Sequence, residues 1–170
     1  MAIQAVKVME NPFEDVPFRR ATERYFVVHY GTPRFNELDP YGVLWNGHFV
    51  QYFENARQQL GKFTKLNPRI LDQAGFHMFV YGYNVKLRKI IEVNDEMRVA
   101  VRPLQFKNGL IEFEHLMLVG DEVRAVGNTT HAVIDKNTRS IAYPMPDLVF
   151  EIVNRVFQPF AKSEATTKEL

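Results

Sequence analysis

From residue 39 to residue 57 the chain reads "DPYGVLWNGHFVQYFENAR", with polar and glycine residues crowded ahead of an apolar helical pattern. Asp39 offers a carboxylate able to act as a general base or as a nucleophile. Pro40 biases the Asp39 backbone toward an extended conformation, which restricts where that carboxylate points. Asn46, Gly47 and His48 stand where the helix should begin, so their amides lack intrahelical acceptors and feel the positive end of the dipole. Donors held in that way can stabilise a developing oxyanion without reorganising. Gly42 and Gly47 would let a substrate approach the backbone closely. An ordinary loop explains part of this: Asp39 closing an Asx-turn and Asn46 capping a helix. It does not explain the whole cluster. His48 sits in the first helical turn, where the dipole favours its neutral form; it could orient a water, contact a substrate, or serve as a surface histidine.

Other groups carry weaker signals. Glu54 and Arg57 are three residues apart and can pair along a helix. Lys86, Arg88 and Lys89 form a basic run suited either to phosphates or to a solvated, protected sheet edge. His29, His77, His115 and His131 show no metal-ligand spacing, so no metal is expected.

These groups need elements to position them. Phe49, Phe53, Ala56, Leu60 and Phe63 recur on a helical period, with Asn46 as the expected cap and Asn67-Pro68 as the stop. Ahead of this helix, "ERYFVVHY" from residue 23 is β-branched and aromatic on both faces, so a strand buried on both sides or lying at a subunit contact is expected. Behind it come four strand patterns, starting near Phe76, Glu96, Leu110 and Glu122. Asn108-Gly109 should turn the chain between the second and third of these four. Asp147 is placed to cap a short last helix. One long helix against a meander of strands is an α+β arrangement.

The chain has 170 residues, 46% of them apolar, which favours one domain with a sizeable core. Lys plus Arg (21) nearly balances Asp plus Glu (20), so no global field points to nucleic acid or an anionic membrane. Cysteine is absent, excluding a disulfide framework and a thiolate nucleophile. No secretory signal or membrane-length apolar run is present, and a soluble, cytoplasmic protein is expected.

The quoted stretch resembles the acyl-CoA thioesterases of the hotdog fold, in the 4-hydroxybenzoyl-CoA thioesterase-like branch. The resemblance rests on Asp39, Gly42 three residues on, the aromatic Trp45 ending the loop, then Phe53-Glu54 and Arg57 in the helix. It covers roughly residues 23 to 157, within an expected domain over 22–158, and leaves an amino-terminal arm (1–21) and a disordered tail (159–170) outside. It implies a hotdog fold: an antiparallel sheet of about five strands wrapped around one long central helix, plus a short carboxy-terminal helix. It also implies a homodimer or a dimer of dimers (a homotetramer), with the site at the subunit interface. Asp39 would act on the thioester carbonyl as nucleophile or base, and the amide at Asn46 would polarise it. Trp45, Tyr52, Phe53 and Tyr81 are then candidates for the acyl pocket, with Glu54 close to it. Lys86, Arg88 and Lys89 would meet the coenzyme A phosphates. Coenzyme A is part of the substrate, and no separate cofactor is implied; the acyl carrier could also be a carrier protein. This chain departs from many relatives in having Asn46 where they carry a histidine. Two other activities fit the same fold: a hydratase or dehydratase, whose motif "GHF" at residues 47–49 echoes, and a non-catalytic acyl-CoA-binding domain.

Overall fold

A computed structural model describes residues 4–5, 9–10, 24–66 and 68–161 of the chain. Most of the expected arm and tail, and Asn67, lie outside the described residues. The elements run β1 (Gln4–Ala5), β2 (Met9–Glu10), β3 (Arg24–Gly31), α1 (Gly47–Phe63), α2 (Pro68–Gln73), β4 (Phe76–Leu87), β5 (Met97–Lys107), β6 (Leu110–Val119), β7 (Glu122–Asp135) and α3 (Asp147–Asn154). The strands pair antiparallel in the order β1, β3, β5, β6, β7, β4, and β2 also pairs with β3. The strand, helix and four-strand order expected from the sequence is therefore present, with α1 packed across one face of the sheet.

Period-2 alternation decides the two faces of the sheet. Phe26, Val28 and Tyr30 on β3 join Met97, Val99 and Val101 on β5 and the α1 residues Phe49, Phe53, Ala56 and Leu60 in the main core. Each large side chain buried in this way contributes roughly 1.5–3 kcal/mol. Tyr25 and Val27 point the other way, into a second cluster with Ala100, Leu116 and Leu118. Both faces of β3 are thus buried within one chain. The strand's double apolarity reflects its own two cores, so it gives no evidence for a subunit contact.

Two glycines let the helix seat closely. A β-carbon at Gly127 on β7 would lie 2.5 Å from Phe53 Cε2, so only glycine lets that ring reach the sheet. Gly61 has Leu66 O close to the same position, and α1 ends at Phe63, where Thr64 Oγ1 donates back to Leu60 O at 2.9 Å. Phe63 closes the apolar stripe only in part, half exposed beside the Phe26 ring at 5.4 Å. Asn108 and Gly109 both have positive φ (54° and 76°), as a type I′ hairpin between β5 and β6 requires. Two expected caps do not form. Asn46 is already helical (φ −54°, ψ −31°) and makes no side-chain cap, because the first turn closes through His48 N donating to Trp45 O at 3.0 Å. Pro146, not Asp147, precedes α3, and Asp147 is its first residue. The short helix α2, opening on Pro68, had no apolar period to announce it, although proline suits a first helical position.

Candidate active site

The Asp39 loop leaves β3, makes a short turn at Phe35–Glu37, and returns to α1. Gly42 takes φ +77° with open space around it, so its need for glycine is conformational and comes from the turn itself. Asp39 Oδ1 accepts from Tyr41 N at 2.8 Å and Val43 N at 3.3 Å, while Asp39 N donates to Val43 O at 2.8 Å. That is the Asx-turn of the ordinary reading. It occupies one carboxylate oxygen only; Oδ2 has no hydrogen-bond partner among the described residues.

The loop is held from outside by the segment after β4. Leu44 N donates to Ile91 O at 2.8 Å, and Val43 bridges Glu92. Between them opens a cleft of about 320 Å³. Asp39, Trp45 and Asn46 line one side of it, Arg88 and Lys89 the other, with Val43, Leu44, Phe49, Leu87, Ile90 and Ile91 as apolar walls. Arg124 Nη1 donates to Ile90 O at 3.0 Å and steadies that second wall. The amides of Asn46 and Gly47 have no intrahelical acceptor, and no backbone carbonyl among the described residues receives them. Asp39, Asn46 at the helix start, Arg88 and the Glu122-paired Lys89 therefore share one mostly apolar cleft.

Several expected site residues stand elsewhere. Gly47 carries the Trp45 indole against its backbone. His48 holds its Nδ1 2.9 Å from Gln51 Oε1 and its ring 5.6 Å from that of Trp45; it is not part of the cleft lining. Tyr52 is buried, and its hydroxyl donates to Glu37 at 2.6 Å, so it ties the loop down and presents no surface to a substrate. Tyr81 lies at a register shift of β4, exposed and away from the cleft. Lys86 also lies outside it, and Lys89 pairs with Glu122. Among the described residues, no group of His, Cys, Asp and Glu could hold a metal ion.

Glu54 belongs to a separate network under the sheet. Arg57 Nε and Nη2 approach its carboxylate at 3.2 Å and 3.1 Å, and the buried His131 places Nε2 3.1 Å from Oε1. Burial alone would raise the Glu54 carboxyl, but the His131 hydrogen bond and the Arg57 charge outweigh it and hold it at about 2. Thr129 Oγ1 lies 3.2 Å from His131 Nε2 and 3.0 Å from His115 Nε2. His115 stacks on Phe53 at 4.8 Å, and its burial drives its pKa down to about 3. Sequence reasoning found the Glu54–Arg57 spacing but missed His131, Thr129 and Glu37, whose partners lie on other elements. The only signal for the two histidines was their place on alternating strand positions of one face.

The family model described as thioesterase-like superfamily matches residues 33–156. No curated protein sequence matches the chain. Among solved structures, the chain is similar to DHNA-CoA thioesterase from Staphylococcus aureus (20% identity, TM-score 0.67, covering 79% of this chain and 91% of that one). It is also similar to a 1,4-dihydroxy-2-naphthoyl-CoA thioesterase from Synechocystis (16% identity, TM-score 0.66, covering 76% and 95%). A thioesterase from Thermus thermophilus, solved in complex with coenzyme A and Zn, shares 27% identity at TM-score 0.61 over 76% and 92% of the two chains. The sheet wrapped on α1 is the hotdog fold, and the chain belongs to the thioesterase-like superfamily.

Proposed function

We propose that the chain hydrolyses an acyl-CoA thioester in the cleft between the Asp39 loop and residues 87–91. One observation carries the reading: Asp39 spends Oδ1 on its own turn, leaves Oδ2 without a partner among the described residues, and lines a cleft together with Asn46 at the helix start and two cations. Oδ2 either attacks the carbonyl, giving an acyl-enzyme anhydride that water then opens, or removes a proton from an attacking water. The carbonyl oxygen gathers charge in either path, and the amide of Asn46 at the helix start receives it. Arg88 and Lys89 face the phosphates of the coenzyme, which enters as part of the substrate and leaves as the free thiol. The similar Thermus structure, complexed with coenzyme A, supports that choice of thiol. The apolar walls fit an aryl or alkyl acyl group.

We also propose that a second copy pairs along β4. That strand is twelve residues long, bonds only to β7 among the described residues, and exposes Phe79, Val80, Tyr81 and Tyr83. A long apolar edge of this kind is a template for another strand. Tyr81 would then reach substrate only through the partner's site. Free-thiol release from a panel of acyl-CoA esters tests the activity, and sedimentation at micromolar protein tests the pairing. Absence of hydrolysis across the panel, or an active monomer, would count against the respective half of the proposal.

A further inference from the structure

We infer that Glu37 and Tyr52 form a positioning pair that sets Asp39 for the proposed hydrolysis, an inference that rests on that reading. Glu37 is a buried carboxylate in the loop, two residues before Asp39. Its Oε2 accepts from the Tyr52 hydroxyl at 2.6 Å and from Arg34 N at 2.9 Å, and its backbone oxygen accepts from Trp45 N at 2.9 Å. One residue thus gathers the start of the loop, its end and the second turn of α1.

Tyr52 is fixed in turn. Its ring meets Tyr30 edge-on at 4.9 Å, and the Tyr30 hydroxyl donates to Tyr52 O at 3.4 Å. A path of contacts therefore runs from β3 through Tyr52 and Glu37 to the loop. At its tip, Asp39 bonds only within its own turn among the described residues. The turn shapes the carboxylate locally but cannot set its distance from the helix start. Glu37 does that from one side, and Leu44 on Ile91 from the other. Two apolar side chains could fill the same space without burying a carboxylate, a substitution that is often neutral or stabilising. What the polar pair adds is a fixed separation between loop and helix, and catalytic rate is sensitive to about 1 Å of such separation.

Tyr52→Phe keeps the ring and removes only the hydroxyl. The expected result is a fall in kcat of about tenfold, since misplacement by about 1 Å can cost up to 10²-fold, with KM little changed. Glu37→Gln, whose amide oxygen still accepts both hydrogen bonds, should retain most of kcat. In an Asp39→Asn background Tyr52→Phe should lower residual turnover no further, because residues acting through one group are not additive. Thermal melts establish that each variant is folded; should Tyr52→Phe fail to fold, Glu37→Gln against Glu37→Met carries the same comparison. Full kcat in folded Tyr52→Phe, alongside an inactive Asp39→Asn, overturns this inference and leaves the thioesterase reading standing. An equal Tyr52→Phe loss in both backgrounds also overturns it, by showing a general structural effect. Wild-type protein inactive on every ester removes both.

Discussion

The indole of Trp45 lies so close to Gly47 that a β-carbon there would collide with its six-membered ring. Glycine at this position therefore holds the aromatic wall of the cleft in place. Alanine suits a helix better than glycine, so Gly47→Ala should not weaken α1, but it must push the indole aside. Trp45 is the one tryptophan of the chain, so the displacement should shift the intrinsic emission spectrum. Turnover of acyl-CoA should fall while the melting temperature holds. An unchanged spectrum would show that the indole does not rest on Gly47 in solution.

Asp39→Asn tests the carboxylate against its turn. Asparagine keeps an oxygen for Tyr41 N and Val43 N, so the loop should survive. As neither a base nor a competent nucleophile at neutral pH, it should lower kcat by at least about a hundredfold. Near wild-type turnover in a folded variant would reduce Asp39 to a turn residue.

The basic run divides by position. Arg88 and Lys89 line the cleft, whereas Lys86 does not. Charge reversal at Arg88 should raise KM for a coenzyme A ester more than for a short thioester without the nucleotide, with kcat little altered. Added salt should mask part of the effect. Lys86→Glu should leave both substrates nearly untouched. Equal responses of the two substrates to Arg88→Glu would remove phosphate binding from the cleft.

Acid should destabilise the fold from neutrality downward, through two groups of the same network. His115 is kept neutral to about 3 in the fold, while the unfolded chain binds a proton near 6.5. Its folded pKa is the lower one, so stability is lost as pH falls from about 6.5 toward 3. Glu54 is held at about 2 against an ordinary 4.5, so its contribution is complete above 4.5 and drains away as pH falls toward 2. His115→Phe, which keeps an aromatic ring on Phe53, should flatten the upper part of this slope and leave the Glu54 part. Chemical denaturation at pH 7, 5.5 and 4 reads the difference, and parallel slopes for the two proteins would rule out His115 as the source.

The stripe Phe49, Phe53, Ala56 and Leu60 and the Asn108-Gly109 turn were legible in sequence because period and turn chemistry are local. So was the Asp39 loop, through its motif. The alternate oxygens of Asp39 were not, since a sequence cannot say which of two equivalent atoms a backbone amide will take. The Tyr52 ring announces an apolar setting, but its burial against Glu37 is not legible, because that partner lies in another element. The Asn46 cap failed for a related reason. Its type favours capping, yet Trp45 O supplies the first acceptor and Asn46 is drawn into the helix.

The outer edge of β3 is filled by β1 and β2 of the same chain: Gln4 and Ala5 lie against His29 and Val28, Met9 and Glu10 against Tyr25 and Arg24. A sheet open on two sides can be extended copy after copy into a fibre. Here β1 and β2 take the β3 edge, and β7 is the one partner of β4 among the described residues. The two-fold pairing proposed along β4 would use up that edge and end growth after one step. Residues 4–5 and 9–10, paired on the β3 edge, would thus act as a chain terminator for the sheet. Emptying the β3 edge would release polymer before it cost any rate.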